Sequence, residues 1–305
     1  MNDDRSIIIT DVSPRDGLQN QARPIGTQDK LGLIERLAAA GVSSIEIGSF
    51  VSPRAVPQMA DTEDVVRASA RLAPTRLSVL APNLRGLERA LACGAREVAV
   101  VLSATETMNQ RNIRMSLEAA TQASIGVLRA ARDAGLRTRA YVAVAIACPF
   151  EGPTPVSRVA ALAEAMLDAQ ADEIVLADTI GAGSPPQVEA LLREVVRAVP
   201  VEQIGAHFHD TRGMGVANAW AALQNGVRRL DGSAGGIGGC PFAPGAAGNV
   251  ATEDLLVLAE QSGFRTGIDP AGLIAAIDHA QAFLGTPLGG RALPWLRRQY
   301  AKGEA

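Results

Sequence analysis

The sequence predicts an α/β fold in which a closed (β/α)8 barrel is followed by additional C-terminal helices. Eight short runs rich in β-branched residues recur along the chain, and each is followed by a segment with helical periodicity. Strands that alternate with helices favour a parallel sheet, and eight such units favour a TIM barrel. The eight candidate strands are residues 6–12, 43–49, 75–81, 96–103, 137–145, 172–178, 203–209 and 228–234.

The segments between the candidate strands have apolar residues at helical spacing. The clearest of them are residues 28–41, 83–94, 116–135 and 184–199. Several end in glycine, the residue that most often follows the last turn of a helix. The chain after about residue 252 is also helical in pattern, and we expect it to cap one end of the barrel. We expect residues 1–305 to form a single catalytic domain.

An open, doubly wound sheet is the alternative arrangement of the same elements. Such a sheet would be expected to carry a glycine-rich phosphate-binding turn after its first strand. The first candidate strand instead runs into "DVSPRDGLQ", which has no G-x-G-x-x-G pattern. The closed barrel is therefore the favoured fold.

Composition and charge argue against several classes of protein. Apolar residues make up 47% of the chain and the formal net charge is −3, which suggests neither nucleic acid nor a membrane as a partner. Cys93, Cys148 and Cys240 are widely spaced, which argues against a disulfide framework and for a reducing compartment. The N-terminal residues lack the features of a signal peptide, and no apolar run reaches about 18 residues. We expect a cytoplasmic protein that could form homo-oligomers.

Two of the three histidines, His207 and His209, lie two residues apart at the end of the seventh candidate strand. Side chains at positions i and i+2 of a strand point to the same face, and barrel active sites form at the carboxyl ends of the strands. The pair is therefore placed to hold one metal ion. Two hydrogen-bonded histidines at the barrel mouth are the alternative interpretation.

Charged residues also mark other candidate strands. Arg15 and Asp16 follow the first strand and precede a turn glycine. Glu46 lies on the second strand and Asp178 ends the sixth, so the rim is acidic. Arg15 and Asp16 could form a buried ion pair with no further role. In a closed barrel, however, the first strand adjoins the eighth and lies near the seventh, so Asp16 could reach a cation held by the histidines.

A glycine-rich segment follows the eighth candidate strand. It contains six glycines between positions 235 and 248, which would allow close approach to a ligand. Cys240 lies within this segment, whereas structural cysteines are usually buried in apolar elements, so a functional thiol is favoured. Asn249 precedes a segment of helical pattern, and its position alone suggests a turn or a cap.

Six motifs occur in order along nearly the whole chain: "SPRDGLQNQ", "SIEIGSFVSPRAVPQM", "ACPFEG", "LADTIGAGSP", "HFHDTRGMGVANAWAALQNG" and "GGIGGCPFAPGAAGNVATEDL". Together they resemble the hydroxymethylglutaryl-CoA lyase family, which belongs to a larger group of metal-dependent TIM-barrel lyases and acyl-CoA condensing enzymes. The resemblance implies an acyl-CoA substrate and a divalent metal, with Mg²⁺ or Mn²⁺ favoured and Zn²⁺ as the alternative. It identifies the metal ligands as Asp16, His207, His209 and Asn249.

The same resemblance implies roles for four further residues. Arg15 resembles the residue that binds the thioester carbonyl, and Cys240 resembles the loop thiol that acts as an acid. Glu46 and Asp178 match acidic residues of the family's site. The chain departs from the family pattern at other positions, among them Ser13, where the family usually has glycine. These departures bear on the acyl group and the coenzyme A contacts, and they leave the metal ligands and the acid in place.

The resemblance implies a lyase that cleaves 3-hydroxy-3-methylglutaryl-CoA to acetyl-CoA and acetoacetate. The alternative is the same cleavage of a related tertiary 3-hydroxy-acyl-CoA, such as citramalyl-CoA or a longer branched analogue. A condensing synthase would be expected to carry a sizeable accessory domain, and the chain after Asn249 is short for one. A non-catalytic binding barrel would give no reason for a complete set of metal ligands together with a loop thiol.

Overall fold

Eight parallel strands close into a barrel in this computed structural model, which describes residues 5–239 and 248–300. The order around the barrel is β1-β10-β9-β8-β5-β4-β3-β2, and β6 and β7 pair as a separate short hairpin. The strands are β1 (Ile8–Asp11), β2 (Ser44–Ser49), β3 (Arg76–Leu80), β4 (Glu97–Ser103), β5 (Arg137–Ala143), β6 (Ala147–Cys148), β7 (Gly152–Pro153), β8 (Glu173–Asp178), β9 (Ile204–Phe208) and β10 (Arg229–Gly232). All eight candidate strands and the predicted barrel are confirmed.

Helices connect the strands and follow the last of them. They are α1 (Thr27–Ala39), α2 (Thr62–Ser69), α3 (Leu84–Ala92), α4 (Glu106–Ile113), α5 (Leu117–Asp133), α6 (Val156–Asp168), α7 (Pro185–Val195), α8 (Gly215–Gln224), α9 (Thr252–Gln261), α10 (Pro270–Leu284) and α11 (Leu293–Tyr300). The side chains of Asn83, Ser116 and Asp269 cap three of them by accepting amide hydrogen bonds. None of the described helices has the length and apolar character needed to cross a membrane.

Alternation along the strands separates an apolar layer from a polar interior. On β2, Ile45 and Ile47 join the main apolar core that also includes Leu33 and Leu37 of α1, whereas Glu46 is fully buried between them. Because neighbouring strand residues point to opposite faces, Glu46 faces the inside of the barrel. Bulky apolar residues usually dominate that space, and here it also holds a cluster of ionisable side chains.

The three C-terminal helices attach to different parts of the barrel. Helix α9 contacts α8 and β1, helix α10 packs along α1, and helix α11 packs on α10. Two buried carboxylates hold the connection between α10 and α11. Glu253 Oε1 accepts the amide of Gly290 at 2.6 Å, and Asp254 accepts the amides of Arg291 and Ala292. These bonds attach the segment before α11 to the first turn of α9.

Candidate active site and metal centre

The candidate site lies at the carboxyl ends of β1 and β9. Strand β10 lies between them and pairs with both, and it aligns Asp231 with His207. Asp16, His207 and His209 each offer one ligand atom, and these atoms all lie within 4.8 Å of one another. The expectation that barrel closure brings Asp16 to the two histidines is therefore met.

The turn after β1 presents Arg15 and Asp16. Residues Ser13–Gly17 form one turn of π-helix with a proline near its start, and three successive amides of this turn point at the carbonyl oxygen of Val12. A Cβ atom at Gly17 would lie 3.0 Å from both the Cγ2 and the O atom of Ile237. A side chain at this position would therefore require Ile237, in the segment after β10, to shift by a few tenths of an ångström.

A fully buried carboxylate fixes this turn relative to the start of α9. Asp11 Oδ1 accepts hydrogen bonds from the amide and the hydroxyl of Ser13, and its Oδ2 accepts one from Thr252 Oγ1 at 2.7 Å. Asn249 lies three residues before Thr252 and is bridged to His209 through the backbone. Asp11 thus ties the segment that carries Asp16 to the segment that carries Asn249.

The arrangement of Asn249 fits a metal ligand better than a cap. Its amide nitrogen donates to Asp16 Oδ2 at 2.9 Å and to the carbonyl of Ile237 at 3.2 Å, which uses both amide hydrogens. The Oδ1 atom is buried and has no hydrogen-bond partner among the described residues, and the same is true of His209 Nδ1. Because an unsatisfied buried polar atom is costly, both atoms are suited to a ligand. One carboxylate, two imidazoles and an amide oxygen suit a divalent cation.

Charge and burial set the protonation states of Asp16 and His209, two of the candidate ligands. Burial would raise the pKa of Asp16, but Arg15 and the two histidines outweigh burial and lower it. Burial and the neighbouring His207 lower the pKa of His209 to about 4. Asp16 is therefore ionised and His209 neutral at pH 7, which are the forms that bind metal.

Arg15 is held between two carboxylates. Its Nε and one terminal nitrogen lie 2.6 Å from Glu46 Oε2, and its other terminal nitrogen donates to Asp16 Oδ1 at 2.7 Å. Burial alone would lower the pKa of Arg15, but Glu46 and Asp16 outweigh burial and raise it. Burial raises the pKa of Glu46 despite the opposing charge of Arg15. The structure therefore places Glu46 against Arg15, outside the group of Asp16 and the two histidines.

Asp178 lies at the end of β8 and organises the loop that follows. Its Oδ1 accepts the amide of Ala182 at 3.0 Å, and its Oδ2 accepts the amide of Gly183 at 2.8 Å. Burial raises its pKa, and these two amide bonds oppose the shift. Both carboxylate oxygens thus accept bonds from the loop between β8 and α7.

Behind the two histidines lies a buried polar network that the sequence analysis missed. Asp231 Oδ2 lies 3.2 Å from His207 Nδ1 and accepts the Tyr141 hydroxyl at 2.8 Å. Arg139 donates to Asp231 Oδ1 at 2.8 Å and to Glu173 Oε1 at 2.9 Å. The available signal was polar residues at alternate positions within candidate strands, such as Arg139 and Tyr141, which share a face.

Cys240 lies outside the described residues, and the sequence-based prediction of its role stands untested. The described residues on either side of residues 240–247 are close together. A Cβ atom at Gly248 would lie 2.6 Å from the carbonyl oxygen of Gly238, and one at Gly238 would lie 2.5 Å from Asn249 Nδ2. Gly238 and Gly248, which lie on the two sides of residues 240–247, are therefore both next to the candidate metal ligand Asn249.

Comparison with known proteins gives consistent results. A model of the HMGL-like family matches residues 6–279. The chain is 43% identical to the hydroxymethylglutaryl-CoA lyase of Pseudomonas mevalonii, over 94% of this chain and 96% of that protein. It is 46% identical to the (R)-citramalyl-CoA lyase of Chloroflexus aurantiacus, over 93% and 92% of the two chains. The crystal structure of hydroxymethylglutaryl-CoA lyase from Pseudomonas aeruginosa superposes with a TM-score of 0.92 at 41% identity, covering 98% of each chain.

Proposed function

The chain belongs to the HMGL-like family, and from this premise we propose that it cleaves 3-hydroxy-3-methylglutaryl-CoA to acetyl-CoA and acetoacetate. The observation that carries the proposal is the convergence of Asp16, His207 and His209 beside Arg15 at the barrel mouth. A cation site next to a fixed guanidinium can stabilise two developing negative charges. Carbon–carbon cleavage of a 3-hydroxy thioester generates charge at two such oxygens.

The reaction breaks the bond between C2 and C3 of the substrate. The C3 hydroxyl loses its proton and becomes the carbonyl of acetoacetate, while the bond electrons pass to C2 and the thioester oxygen as an enolate. A proton delivered to C2 then gives acetyl-CoA. A divalent cation would supply the Lewis acidity that makes the hydroxyl proton easier to remove. We propose that Asp16, His207, His209 and Asn249 hold this cation, with Mg²⁺ or Mn²⁺ favoured over Zn²⁺.

Arg15 is proposed to stabilise the enolate oxygen. Glu46 and Asp16 bind its Nε and one hydrogen on each terminal nitrogen. The guanidinium therefore keeps further N–H donors for the substrate. Because Glu46 and Asp16 fix the guanidinium in advance, it needs little reorganisation when charge develops. Glu46 is proposed to act by orienting Arg15, and Asp178 by ordering the loop between β8 and α7. Cys240 is proposed to donate the proton to C2.

The direct test of the proposed function is a cleavage assay on the purified protein. We expect 3-hydroxy-3-methylglutaryl-CoA to give equal amounts of acetyl-CoA and acetoacetate in the presence of Mg²⁺ or Mn²⁺. Treatment with EDTA should abolish cleavage, and added cation should restore it. Absence of cleavage across a panel of tertiary 3-hydroxy-acyl-CoA thioesters would contradict the proposal.

Citramalyl-CoA is the second candidate substrate, and the 46% identity with a citramalyl-CoA lyase favours it. It undergoes the same bond cleavage, but its distal carboxylate is attached directly to C3, one methylene closer than in 3-hydroxy-3-methylglutaryl-CoA. The products would be acetyl-CoA and pyruvate. The ratio of kcat/KM for the two thioesters, together with longer branched analogues, decides which acyl group the site prefers.

A further inference from the structure

Buried donors and acceptors behind the candidate metal centre form a chain with a fixed direction. Arg139 can only donate, and its Nη1 atom lies 3.0 Å from the Tyr141 hydroxyl oxygen, which therefore accepts. The hydroxyl hydrogen of Tyr141 is then free to point at Asp231 Oδ2, 2.8 Å away. Asp231 also accepts from Arg139 through its other oxygen, and the adjacent guanidinium favours its ionised form.

The direction of this chain decides which ring nitrogen of His207 carries the proton. An ionised carboxylate can only accept, so at 3.2 Å from Asp231 Oδ2 the Nδ1 atom of His207 must donate. A neutral imidazole that donates from Nδ1 has its lone pair on Nε2. From these contacts we infer that Asp231 is a positioning residue that holds His207 in the Nδ1–H form, with Nε2 free to bind the cation. The inference rests on the proposed metal site.

Among the described residues, the second histidine has no comparable partner. His209 Nδ1 is buried without a hydrogen-bond partner among the described residues, so none of the described contacts at this atom selects its tautomer. His207 is therefore the pre-oriented ligand of the pair, and His209 the adaptable one. A carboxylate behind a ligating histidine typically raises metal affinity by about 10- to 100-fold, which is the effect that we expect of Asp231.

Replacement of Asp231 by asparagine tests this role, because asparagine retains only one acceptor oxygen. That oxygen is expected to stay with the buried guanidinium of Arg139, which leaves the amide nitrogen facing His207 Nδ1. Nδ1 must then accept, and the proton moves to Nε2, the atom needed for the metal. Glu173→Gln is the matched control: Glu173 also contacts Arg139 and is buried, but the described contacts of its side chain are with arginines.

Metal affinity is the first measurement, made by titrating Mn²⁺ into the metal-free protein and following free Mn²⁺ by electron paramagnetic resonance. We expect Asp231→Asn to weaken binding by about 10- to 100-fold and Glu173→Gln to change it far less. Equal losses in the two variants would overturn the inference, because removal of a buried charge would then account for both. If the wild-type protein binds no Mn²⁺, the proposed metal site itself fails.

The tautomer is the second measurement, and it does not require the variant to fold. The chain has three histidines, so ¹⁵N-histidine labelling of the metal-free protein gives only six ring nitrogens to assign. Burial lowers the pKa of His207, but Asp231 and Asp16 outweigh burial and raise it, so the spectra are recorded at alkaline pH, where the ring is neutral. There we expect Nδ1 of His207 to be protonated and Nε2 unprotonated in the wild type and in Glu173→Gln. A wild-type His207 with its proton on Nε2 would overturn the inference.

Discussion

The two histidines at the end of β9 point to one face but have different surroundings. Asp231 contacts the ring of His207, whereas the ring of His209 is buried beside His207 and is neutral above pH of about 4. Replacement of either by alanine should remove most metal binding and most activity, because each supplies one of few ligands. Circular dichroism should show a preserved fold in both variants. Full metal stoichiometry in either variant, measured by elemental analysis, would contradict the assignment.

Replacement of Arg15 tests whether the enolate is stabilised by the positive charge alone or also needs the planar shape of the guanidinium. Lysine keeps the charge but loses the planar fork that bridges Glu46 and Asp16. We expect Arg15→Lys to lower kcat by about 10² or more, as removal of an oxyanion donor does. Metal content should persist, because Gln19 and Asn249 also bind Asp16. A change confined to KM would mean that Arg15 binds the substrate without stabilising the enolate.

Cys240 is expected to act at the protonation step. Serine is a far weaker acid than cysteine, so Cys240→Ser should lose turnover by orders of magnitude while it still binds metal and substrate. Cys93 and Cys148 are the matched controls, since both are buried and free, and their replacement by serine should affect turnover much less. Single-turnover kinetics measures the step, and near-wild-type turnover in Cys240→Ser would assign the proton to another group.

Sequence reasoning at the residue scale succeeded where spacing encodes geometry. The i, i+2 spacing of His207 and His209 and the position of Asp16 after the first strand were enough to predict that these three side chains lie together. The same reasoning gave Glu46 and Asp178 only a place on the rim. The contact of Glu46 with Arg15 joins β2 to the turn that follows β1. The contacts of Asp178 with the amides of Ala182 and Gly183 depend on the path of the loop after β8, which its position at a strand end does not give.

Among the secondary-structure elements, the segment between α10 and α11 is held by two buried carboxylates, and one of them, Glu253, makes its stability depend on pH. Burial raises the pKa of Glu253 to about 7, although the amides of Gly290 and Gly235 favour its ionised form. Between its ordinary pKa of about 4.5 and 7, the folded protein keeps a proton that the unfolded chain has lost. Stability contributed by this group is therefore fully present below pH of about 4.5 and is lost as pH rises to 7.

Glu253→Gln isolates this contribution, since glutamine cannot ionise. We expect the unfolding free energy of the wild type, minus that of the variant, to fall by up to about 3 kcal/mol between pH 4.5 and 7, at about 1.4 kcal/mol per pKa unit. Urea unfolding at several pH values measures it. A difference that stays constant or rises over this range would contradict the shift.

Elements with a strong repeating pattern were predictable, and elements defined by distant contacts were not. The segment 116–135 is periodic throughout, and α5 occupies residues Leu117–Asp133 of it. The π-helical turn at Ser13–Gly17 instead reflects the convergence of three amides on Val12 and the close approach of Ile237. The hairpin of β6 and β7 has strands of two residues each, too short for any periodicity to identify.

At the scale of the whole molecule, the proposed metal ligands connect distant parts of the chain. Asp16 and Asn249 are 233 positions apart in sequence and in direct hydrogen-bond contact. A cation that binds the folded form at 100 times its Kd stabilises it by about 2.7 kcal/mol. We therefore expect saturating Mn²⁺ to raise the Tm by several degrees in differential scanning calorimetry. His209→Ala should show no such rise, and an equal rise in that variant would place the stabilising ion elsewhere.

The barrel was predictable as a whole because its eight repeating units each show the same local signature. The polar interior was not, because Arg139, Tyr141 and Asp231 meet only after β5 and β10 come together across the barrel. From the local sequence alone, an isolated charged residue within a strand-like run would be assigned to an exposed position. That residues 1–305 act as a single catalytic domain stays a prediction.

Closure of the barrel between β1 and β10 determines when the site can form during synthesis. Ile8 pairs with Arg229. One edge of β1 therefore stays unpaired until the ribosome has translated the chain between these two residues. At about 5–20 residues per second this takes on the order of 10 to 45 s, and an open strand edge can pair with other chains during that time. We expect ribosome-bound chains that end before residue 229 to bind no Mn²⁺, so that the cation is captured by a nearly finished polypeptide.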